Sequence, residues 1–417
     1  MPPSGVVDRD LVLSSSYHNW TLPLGDGPQA IGFDDSLVTA GGIQDPPYAF
    51  FRNGYLDMGV DSEIKYWEEG NYAMPLGVSA IRIKGEGSSE WDSTAYNMIL
   101  VNETERFIDK HLNERPDDPF FAYVALGAVH LPHSPPDNYL DGTPIAGKYN
   151  SEMLDMVFEM DKVVGSLVNM IETRQLQEDT IIIFTSDNGG LNPNVTSGAT
   201  ELGHSSSGPL RGRKGMIYEG GHRVPMIWRH DGVIPAGEKR HHLLGLNDIY
   251  ATLCDLAGID VPKSSAKDSV SFADYLLSES SSNELRSVLG NWEFKSGKEY
   301  ASASLRKNSM KVIQNYTSPS TVELYHLDND LSESNDLSSD VSYSTLIAEM
   351  LSALDQIGPC PRDQRGRFNV TVNSKLKSVT CRWTARKTRR CKAHKKIARK
   401  KCPRTCGRHA KWCRQMQ

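Results

Sequence analysis

Long apolar runs are missing from this 417-residue chain. Hydrophobic residues make up 38% of it, yet no stretch of about 18 consecutive apolar residues occurs, so the sequence predicts no membrane-spanning helix. The first residues, MPPSGVVDRDLVLSSSYHNW, also lack the basic segment followed by an apolar segment that is typical of a secretory signal. With this length and 24% charged residues, we expect two or three domains of a soluble α/β protein.

Cysteine is nearly absent before residue 360, where only Cys254 occurs. The other six cysteines are Cys360, Cys381, Cys391, Cys402, Cys406 and Cys413. An even number in a segment with too few apolar residues for a core favours a disulfide-rich module over residues 360–417. A zinc site is the alternative, but CPRTC has no matching second pair and the surrounding positive charge disfavours a dication.

Acidic residues are nearly absent from the same segment. It holds 20 Lys or Arg and one acid, Asp363, so it carries +19, whereas the rest of the chain carries −25 and the total is −6. A basic tail of this kind predicts binding to a polyanion such as a sulfated polysaccharide, with simple solubility or nucleic-acid binding as alternatives. Five Asn-x-Ser/Thr sequons favour a secreted chain. They lie at Asn19, Asn102, Asn194, Asn315 and Asn369.

Hydrophobic periodicity predicts alternating helices and strands in the first two thirds of the chain. Residues 24–60, rich in Gly, Pro and Asp, are expected to be loop. Helices are predicted at about 97–112 and 151–174, the second with an apolar face. Strands are predicted at PFFAYVAL, TIIIFTS and RVPMIWR, and a further helix at LNDIYATLCDLAGI. This alternation predicts a mainly parallel sheet sandwiched by helices.

A different pattern follows the serine-rich stretch 264–283, which we interpret as a boundary region. The segments RSVLGNWEF, EYASASLR, SMKVIQNY and TVELYHLD are short alternating strands, typical of an antiparallel sheet. A helix is predicted near 341–356. We therefore expect a smaller C-terminal antiparallel sheet with one helix, before the basic tail.

Polar residues that could bind an ion or transfer a proton follow three predicted strands. Ligands bind at such strand ends in open α/β sheets. GAVHLPHSPP places His130 and His133 after the first, and SDNGG places Asp187 and Asn188 after the second. PLRGRKGMIYEGGHRVP, which contains Lys214, combines glycines with cations. Each has an ordinary alternative: Asp-Asn-Gly forms turns, single histidines lie at surfaces, and cation clusters are often solvated.

The order of these motifs resembles the sulfatase family, specifically arylsulfatase-like enzymes of the alkaline phosphatase superfamily. IIIFTSDNGG and PLRGRKGMIYEGGHRVP carry most of the resemblance. PLGDGPQAIGFDD, FFAYVALGAVHLPHSPP, LNDIYATLCDLAGIDVP and VELYHLDNDLSESNDLSSD extend it over residues 24–356. It implies an alkaline phosphatase-like α/β domain at 24–263, a C-terminal subdomain at 284–358, and a non-matching segment at 1–23.

The resemblance also implies roles for individual residues. Asp187 and Asn188 match the family's second pair of metal ligands, for Ca²⁺ with Mg²⁺ as the alternative. Lys214 matches the lysine that binds a sulfate oxygen and neutralises charge on the leaving group. His130 matches the histidine that contacts sulfate and protonates the leaving oxygen. His133 receives no role, and residues 219–223 match the segment that fixes the loop carrying Lys214.

One family element is absent from the sequence. The family's nucleophile is a formylglycine made in a Cys-x-Pro-Ser-Arg motif, and no such motif occurs here. SGPLR lies inside the lysine motif, so we interpret its partial match as coincidence. Asp34-Asp35 belongs to the Gly-Phe-Asp stretch, and Asp117-Asp118 precedes a predicted strand, whereas the family's first metal pair follows one. We expect the nucleophile and two metal ligands to be missing from these 417 residues, and the chain itself to be inactive.

Three explanations follow, of which the first is favoured. The chain is a fragment or misassembled gene model of an active sulfate ester hydrolase; or it is a natural pseudo-sulfatase; or its basic tail is the functional part and binds a sulfated polysaccharide. A phosphoesterase of the same superfamily is a further alternative. The tail's CPRTCG resembles small ShK modules. The family, the sequons and the tail imply a secreted, extracellular or lysosome-like location, and the substrate is not encoded in any motif we recognise.

Overall fold

The computed structural model describes residues 20–25, 27–68, 70–74, 77–261, 265–278, 285–295, 299–316, 320–357, 367–372 and 375–380. All six cysteines of the basic tail lie outside these ranges, so the disulfide-rich and ShK-like module stays a prediction. The same holds for nearly all of the N-terminal segment 1–23. Within the described ranges, no helix has both the length and the apolar character needed to cross a bilayer.

The chain forms two compact units that are each discontinuous in sequence. The first comprises Met1–Pro209, Gly220–Lys239 and Leu276–Glu279. The second comprises Leu210–Glu219, Arg240–Tyr275 and Ser280–Gln417. The predicted domain boundaries, which are linear in sequence, stay predictions. The segment 210–219 therefore belongs with the C-terminal part of the chain.

The first unit contains short strands and two long helices. Its strands are β1 (Leu37–Thr39), β2 (Phe50–Arg52), β3 (Tyr55–Asp57), β4 (Ile64–Trp67), β5 (Gly70–Met74), β6 (Gly77–Arg82), β7 (Gly85–Ser88), β8 (Ile182–Thr185) and β9 (Met226–Arg229). Its long helices are α1 (Tyr96–Glu114) and α2 (Glu152–Thr173), and α3 (Glu219–His222) is a single turn that begins in the other unit. The helices confirm the predictions at 97–112 and 151–174.

The prediction of loop over residues 24–60 was wrong in part. β1, β2 and β3 form a three-stranded antiparallel sheet, in which Val38 lies opposite Phe51 and Phe51 opposite Leu56. The turn between β2 and β3 is Asn53-Gly54, and both residues have positive φ. Asn-Gly is a strong hairpin signal that the overall Gly, Pro and Asp content concealed.

Helix α2 begins at a capped N-terminus and packs through one apolar face. The Leu154 N–H donates to the Ser151 hydroxyl at 3.4 Å, satisfying one free donor of the first turn. Met156 packs with Tyr48, Trp91 and Tyr96 in a largely aromatic cluster. A second cluster, made of Val101, Tyr139, Ile145, Val163 and Met170, lies between α1, α2 and the loop before α2. The apolar stripe predicted on this helix is therefore core.

The parallel pairing expected in this unit is not formed by the described strands. β8 confirms the strand predicted at TIIIFTS, but its ladder partner β9 runs antiparallel to it. Residues 119–126, predicted as a strand, form no ladder with the described part of the chain, and Phe121 and Tyr123 remain 60% and 76% exposed. A strand pattern forms a ladder only where a neighbouring backbone supplies hydrogen bonds.

The second unit is built on an antiparallel sheet in the order β10-β11-β12-β13. These strands are Leu289–Lys295, Glu299–Lys307, Met310–Asn315 and Thr321–His326. The remaining elements are α4 (Asp248–Leu256), α5 (Ala273–Leu277), α6 (Ser344–Ile357), β14 (Arg367–Val372) and β15 (Lys375–Thr380). The last two residues of α5 are assigned to the first unit. α6 packs Met350 and Leu354 against Leu305, Val312 and Leu324 of the sheet. The predicted C-terminal antiparallel sheet with one helix is confirmed.

Candidate functional site

The turn after β8 presents two oxygen-bearing side chains. The Ser186 hydroxyl donates to the Asn188 carbonyl at 2.9 Å and closes the turn. The Asn188 amide nitrogen donates to Asp187 Oδ1 at 2.7 Å, which fixes both side chains. Asp187 is exposed, and in the described part of the chain Asp187 Oδ2 and Asn188 Oδ1 accept no hydrogen bond. Two oxygens of the type that hard cations prefer are thus available at this turn.

Gly189 allows this turn to lie directly against another backbone segment. Its N–H donates to the Gly221 carbonyl at 3.0 Å. A Cβ placed on Gly189 would lie 1.9 Å from the Gly220 carbonyl oxygen, a distance that no side chain tolerates. Gly189 is therefore required for the contact that holds the Asp187-Asn188 turn.

His130 lies on a tight turn after the segment 119–127. Its N–H donates to the Gly127 carbonyl at 2.8 Å. Its ring Nδ1 lies 2.8 Å from the Leu131 carbonyl, which only accepts, so Nδ1 carries the proton of the neutral ring. The ring is exposed, and Nε2 has no partner among the described residues. The imidazole can therefore gain or release a proton at Nε2.

His133 has a different environment from its neighbour. It is fully buried, and its Nδ1 lies 2.6 Å from the Ser197 hydroxyl. Burial, assisted by the positive charge of protonated His130, lowers the pKa of His133 to about 4. His133 is therefore neutral over the physiological range, and its burial fits the absence of a predicted chemical role.

Lys214 lies on the loop 211–216 of the second unit. Gly212 and Gly215, which flank Arg213-Lys214, have φ of +81° and +85°, values that L side chains rarely adopt. Lys214 is exposed, and its ammonium has no ion pair among the residues that the structure describes. Of the four predicted site residues, Lys214 alone belongs to this unit; His130, Asp187 and Asn188 belong to the other.

One end of this loop is held by Arg211. Its guanidinium lies 3.8 Å from the centre of the Tyr218 ring, a stacking distance. It also donates to the Tyr325 hydroxyl at 2.8 Å and to the Glu333 carbonyl at 2.9 Å. A cation predicted only as part of a cluster thus anchors the loop to β13 and to the segment after it.

The other end is held by a buried ion cluster made of Lys311, Glu219 and Glu333. The Lys311 ammonium lies 2.9 Å from Glu219 Oε1 and 2.8 Å from Glu333 Oε1, and it donates to the Ile217 carbonyl at 3.0 Å. The Glu219 N–H donates to Glu333 Oε2 at 2.7 Å. Burial raises the pKa of Glu333, against the opposing effect of Lys311. This cluster fixes residues 217–219 on the C-terminal sheet.

The donor types at Asp187-Asn188 fit a hard cation, but two ligands are too few for one. Calcium takes six to eight oxygen ligands and magnesium six. No group of three or more His, Cys, Asp or Glu suited to a metal occurs in the described ranges. The turn therefore supplies part of a coordination shell.

Comparison with protein families identifies the family to which the chain belongs. The sulfatase family model matches residues 17–259, more than half of the chain. The chain belongs to the sulfatase family. A second model, the C-terminal region of N-sulphoglucosamine sulphohydrolase, matches residues 213–358 of this sulfatase, the part that contains Lys214, Lys311 and Glu333.

Individual relatives match the sulfatase over part of their own length. N-acetylgalactosamine-6-O-sulfatase of Bacteroides thetaiotaomicron is 26% identical over 308 residues, 64% of this chain and 58% of the relative. N-acetylgalactosamine-6-sulfatase of Sus scrofa is 35% identical over 179 residues, 43% of this chain and 32% of the relative. The chain therefore spans between a third and three fifths of the length of these two relatives.

Solved structures show the same fold. A Bacteroides thetaiotaomicron protein from work on the metabolism of multiple glycosaminoglycans superposes with a TM-score of 0.65 at 23% identity, covering 80% of this chain and 74% of that one. A second protein, in complex with its substrate D-glucosamine-2-N,6-O-disulfate, has a TM-score of 0.55 at 16% identity, covering 78% and 76%. The alkaline phosphatase-like α/β fold is confirmed.

Two important residues carry weak signals in the sequence. Glu159 lies within the apolar face of α2, between Met156 and Val163, and a carboxylate at that spacing is the one available clue. Lys311 stands beside buried Val312 and Ile313 in β12, where a lysine would ordinarily be assigned to the solvent side. Their buried partners are distant in sequence and cannot be paired with them from one chain.

Proposed function

We propose that the activity of this sulfatase is the hydrolysis of sulfate esters, with a sulfated carbohydrate as the substrate class, and that these 417 residues supply contacts to the sulfate. Family membership carries this proposal. Further support comes from the relatives' names, which specify sulfate on N-acetylgalactosamine, and from the disulfated glucosamine bound by a protein of the same fold. An aryl sulfate is the alternative substrate class, and one relative is named arylsulfatase D.

His130 and Lys214 each have a chemical role in this proposal. The protonated His130 ring carries a proton at Nε2, since its Nδ1 proton is directed to the Leu131 carbonyl, and it gives the Nε2 proton to the departing ester oxygen. The exposed ammonium of Lys214 binds a sulfate oxygen and neutralises charge as the bond to sulfur breaks. Both roles come from the matched motif positions.

Asp187 and Asn188 would hold Ca²⁺, with Mg²⁺ as the alternative, through Asp187 Oδ2 and Asn188 Oδ1. A cation held there would withdraw negative charge from the sulfate oxygens and so make the sulfur more open to nucleophilic attack. The family's nucleophile is a formylglycine, and its precursor motif does not occur in these 417 residues. We therefore expect this chain to bind sulfate without turning over an ester.

The test is hydrolysis of a chromogenic aryl sulfate by the purified 417-residue chain with added Ca²⁺, beside calorimetric titration with inorganic sulfate. We expect no hydrolysis, and sulfate binding that is lost in His130→Ala and in Lys214→Ala. Lys84→Ala, which removes another exposed lysine, is the control and should bind as the wild type does. Turnover of the aryl sulfate would contradict the prediction that the chain is inactive. Sulfate binding unaffected by both substitutions would contradict the proposed contacts of His130 and Lys214 with sulfate. Turnover of an aryl phosphate alone would favour the phosphoesterase alternative.

A second candidate function is polyanion binding by the basic tail. The +19 charge of residues 360–417, against −25 in the rest, favours this role and is compatible with a pseudo-sulfatase. The full chain should be retained on a heparin column and released by salt. Deleting residues 360–417 should abolish retention, and unchanged retention would assign it to another surface.

A secreted, extracellular or lysosome-like location is part of the proposal. Two of the sequons, Asn102 and Asn194, have exposed side chains, as glycosylation requires. Expression through a secretory route should give a chain whose mass falls on glycosidase treatment. Loss of that mass difference in the Asn102→Gln/Asn194→Gln variant would identify the sites; a chain that is never glycosylated would count against the location.

A further inference from the structure

The turn that carries His130 begins at two N–H groups held by one buried amide. The N–H groups of Gly127 and Ala128 both donate to Asn97 Oδ1, at 2.9 and 3.4 Å. The Gly127 carbonyl in turn accepts the N–H of His130 at 2.8 Å. The backbone position of His130 is therefore connected to Asn97 through a single residue.

Close packing restricts how this turn can move. A Cβ on Gly127 would lie 2.9 Å from the Tyr96 ring and 3.2 Å from the Ile43 side chain. The backbone at Gly127 thus rests directly on α1, beside the residue that receives its hydrogen bond. A small change in Asn97 has no empty space in which to be absorbed.

Glu159 fixes the orientation of the Asn97 amide. Asn97 Nδ2 donates to Glu159 Oε1 at 3.0 Å, and the two side chains are 3% and 1% exposed. Because Asn97 Oδ1 faces two donors and Nδ2 faces an acceptor, rotation of the amide by half a turn would oppose like groups on both sides. The carboxyl of α2 therefore determines which atom of Asn97 faces the histidine turn.

The second oxygen of Glu159 is buried without a partner. Among the described residues no group donates to Oε2, and burial raises the pKa of Glu159 to about 7, with the Asn97 hydrogen bond opposing this. Below that pH the side chain is neutral. Above it, an unpaired negative charge lies in the core, and conformations that admit water are favoured.

Other ionisable groups near Glu159 are already paired. The Lys162 ammonium, one turn along α2, pairs with Asp141 at 2.5 Å. The Tyr139 hydroxyl donates to Ser166 at 2.8 Å. Asp155, one turn earlier, accepts the N–H groups of residues 147 and 149. None of these groups hydrogen-bonds to Glu159. A change in the ionisation of Glu159 therefore acts on its hydrogen-bond partner, Asn97.

We propose that Asn97 and Glu159 are positioning residues for His130, and that the neutral form of Glu159 holds the turn in the arrangement observed. The functional consequence rests on the proposed function, because His130 matters to activity only if it contacts sulfate. The structural link from Glu159 to Gly127 does not rest on the proposed function. Ionisation of Glu159 should therefore loosen the histidine turn, so that sulfate binding weakens as the pH rises through neutrality.

The experiment follows the Gly127 amide resonance of the ¹⁵N-labelled 417-residue chain by NMR, from about pH 5 to about pH 9. We expect the Gly127 chemical shift to change in a single step whose midpoint lies near the pH at which Glu159 ionises. Glu159→Gln keeps an acceptor oxygen for Asn97 and should abolish the step, leaving the resonance at its low-pH position. The matched control is Asp161→Asn, an exposed carboxylate two residues further along α2, which should keep the step.

Two outcomes would overturn the link. One is a Glu159→Gln resonance that titrates as the wild type does. The other is a folded Asn97→Ala chain whose Gly127 amide does not shift. Sulfate titrations of the same samples separate the link from the proposed function. We expect wild-type sulfate affinity to fall about fivefold more than that of Glu159→Gln across neutrality. A step at Gly127 with no sulfate response at His130 would refute the proposed function alone, and equal affinity loss in both proteins would refute the positioning role.

Discussion

Lys311→Met tests the ion cluster that holds the Lys214 loop. The substitution leaves the carboxyls of Glu219 and Glu333, both almost fully buried, without their shared cation, and leaves the Ile217 carbonyl without its donor. Removing one partner of a buried ion pair costs about 3–5 kcal/mol. For a chain of 417 residues that corresponds to a decrease in Tm of roughly 5 °C. Protonation of the two carboxyls removes the negative charge that Lys311 neutralises in the wild type, so the loss should be smaller at acidic pH.

The assay is urea and thermal unfolding followed by tryptophan fluorescence, since Trp292 packs in the core of the same sheet. The control is Lys307→Met, a partly exposed lysine at the end of β11 with no buried carboxylate partner in the described part of the chain. It should change stability by no more than about 0.5 kcal/mol. The triple variant with Glu219→Gln and Glu333→Gln should recover much of the loss. A Lys311→Met chain as stable as the wild type, or as unstable at acidic pH as at neutral pH, would refute the reasoning.

Further predictions concern the two turns of the first unit. Gly189→Ala places a Cβ against the Gly220 carbonyl and should destabilise the chain by about 1–3 kcal/mol in the same unfolding assay. The control Gly165→Ala, which has open space on α2, should be neutral or stabilising. Equal effects of the two substitutions would contradict the close approach of Gly189 to Gly220. The folded-state pKa of Glu159 is raised from 4.5 to about 7, so its contribution, about 3 kcal/mol, is complete below about pH 4.5 and lost as pH rises to about 7. His133, with its pKa lowered from 6.5 to about 4, contributes a similar amount that is complete above about pH 6.5 and lost as pH falls to about 4. The two slopes oppose each other, so Glu159→Gln should make stability rise with pH and His133→Leu should make it fall; unchanged pH profiles would count against both assignments.

The elements with strong periodicity could be predicted from the sequence. α1, α2 and α6 each bury one apolar face, and such a face appears in the sequence as a repeat at helical spacing. α4, β8 and the four C-terminal strands also lie where the sequence predicted them. The segment 119–126 has a strand's composition but forms no ladder with the described part of the chain, because pairing depends on a second backbone that composition does not describe. The sheet formed by β1, β2 and β3 was missed because its strands are only three residues long, too short to show an alternating pattern.

The candidate site shows the same division. The glycines beside the predicted site residues were visible in the sequence: Gly189 is needed for backbone contact after Asp187-Asn188, and two glycines bracket the Lys214 loop. The roles of these site residues stay predictions. The groups that hold these motifs in place could not be predicted. Lys311 is almost a hundred residues from Glu219, and both are buried by tertiary contacts that leave no periodic trace.

Calorimetric titration of the 417-residue chain with inorganic sulfate, in the wild type and in Lys214→Ala, tests the central claim most directly. The claim is that this member of the sulfatase family retains sulfate contacts, of which the exposed ammonium of Lys214 is one. We predict measurable binding in the wild type and in the Lys84→Ala control, and at least a tenfold loss in Lys214→Ala, about 1.4 kcal/mol. Equal sulfate affinity in wild type and Lys214→Ala would contradict it.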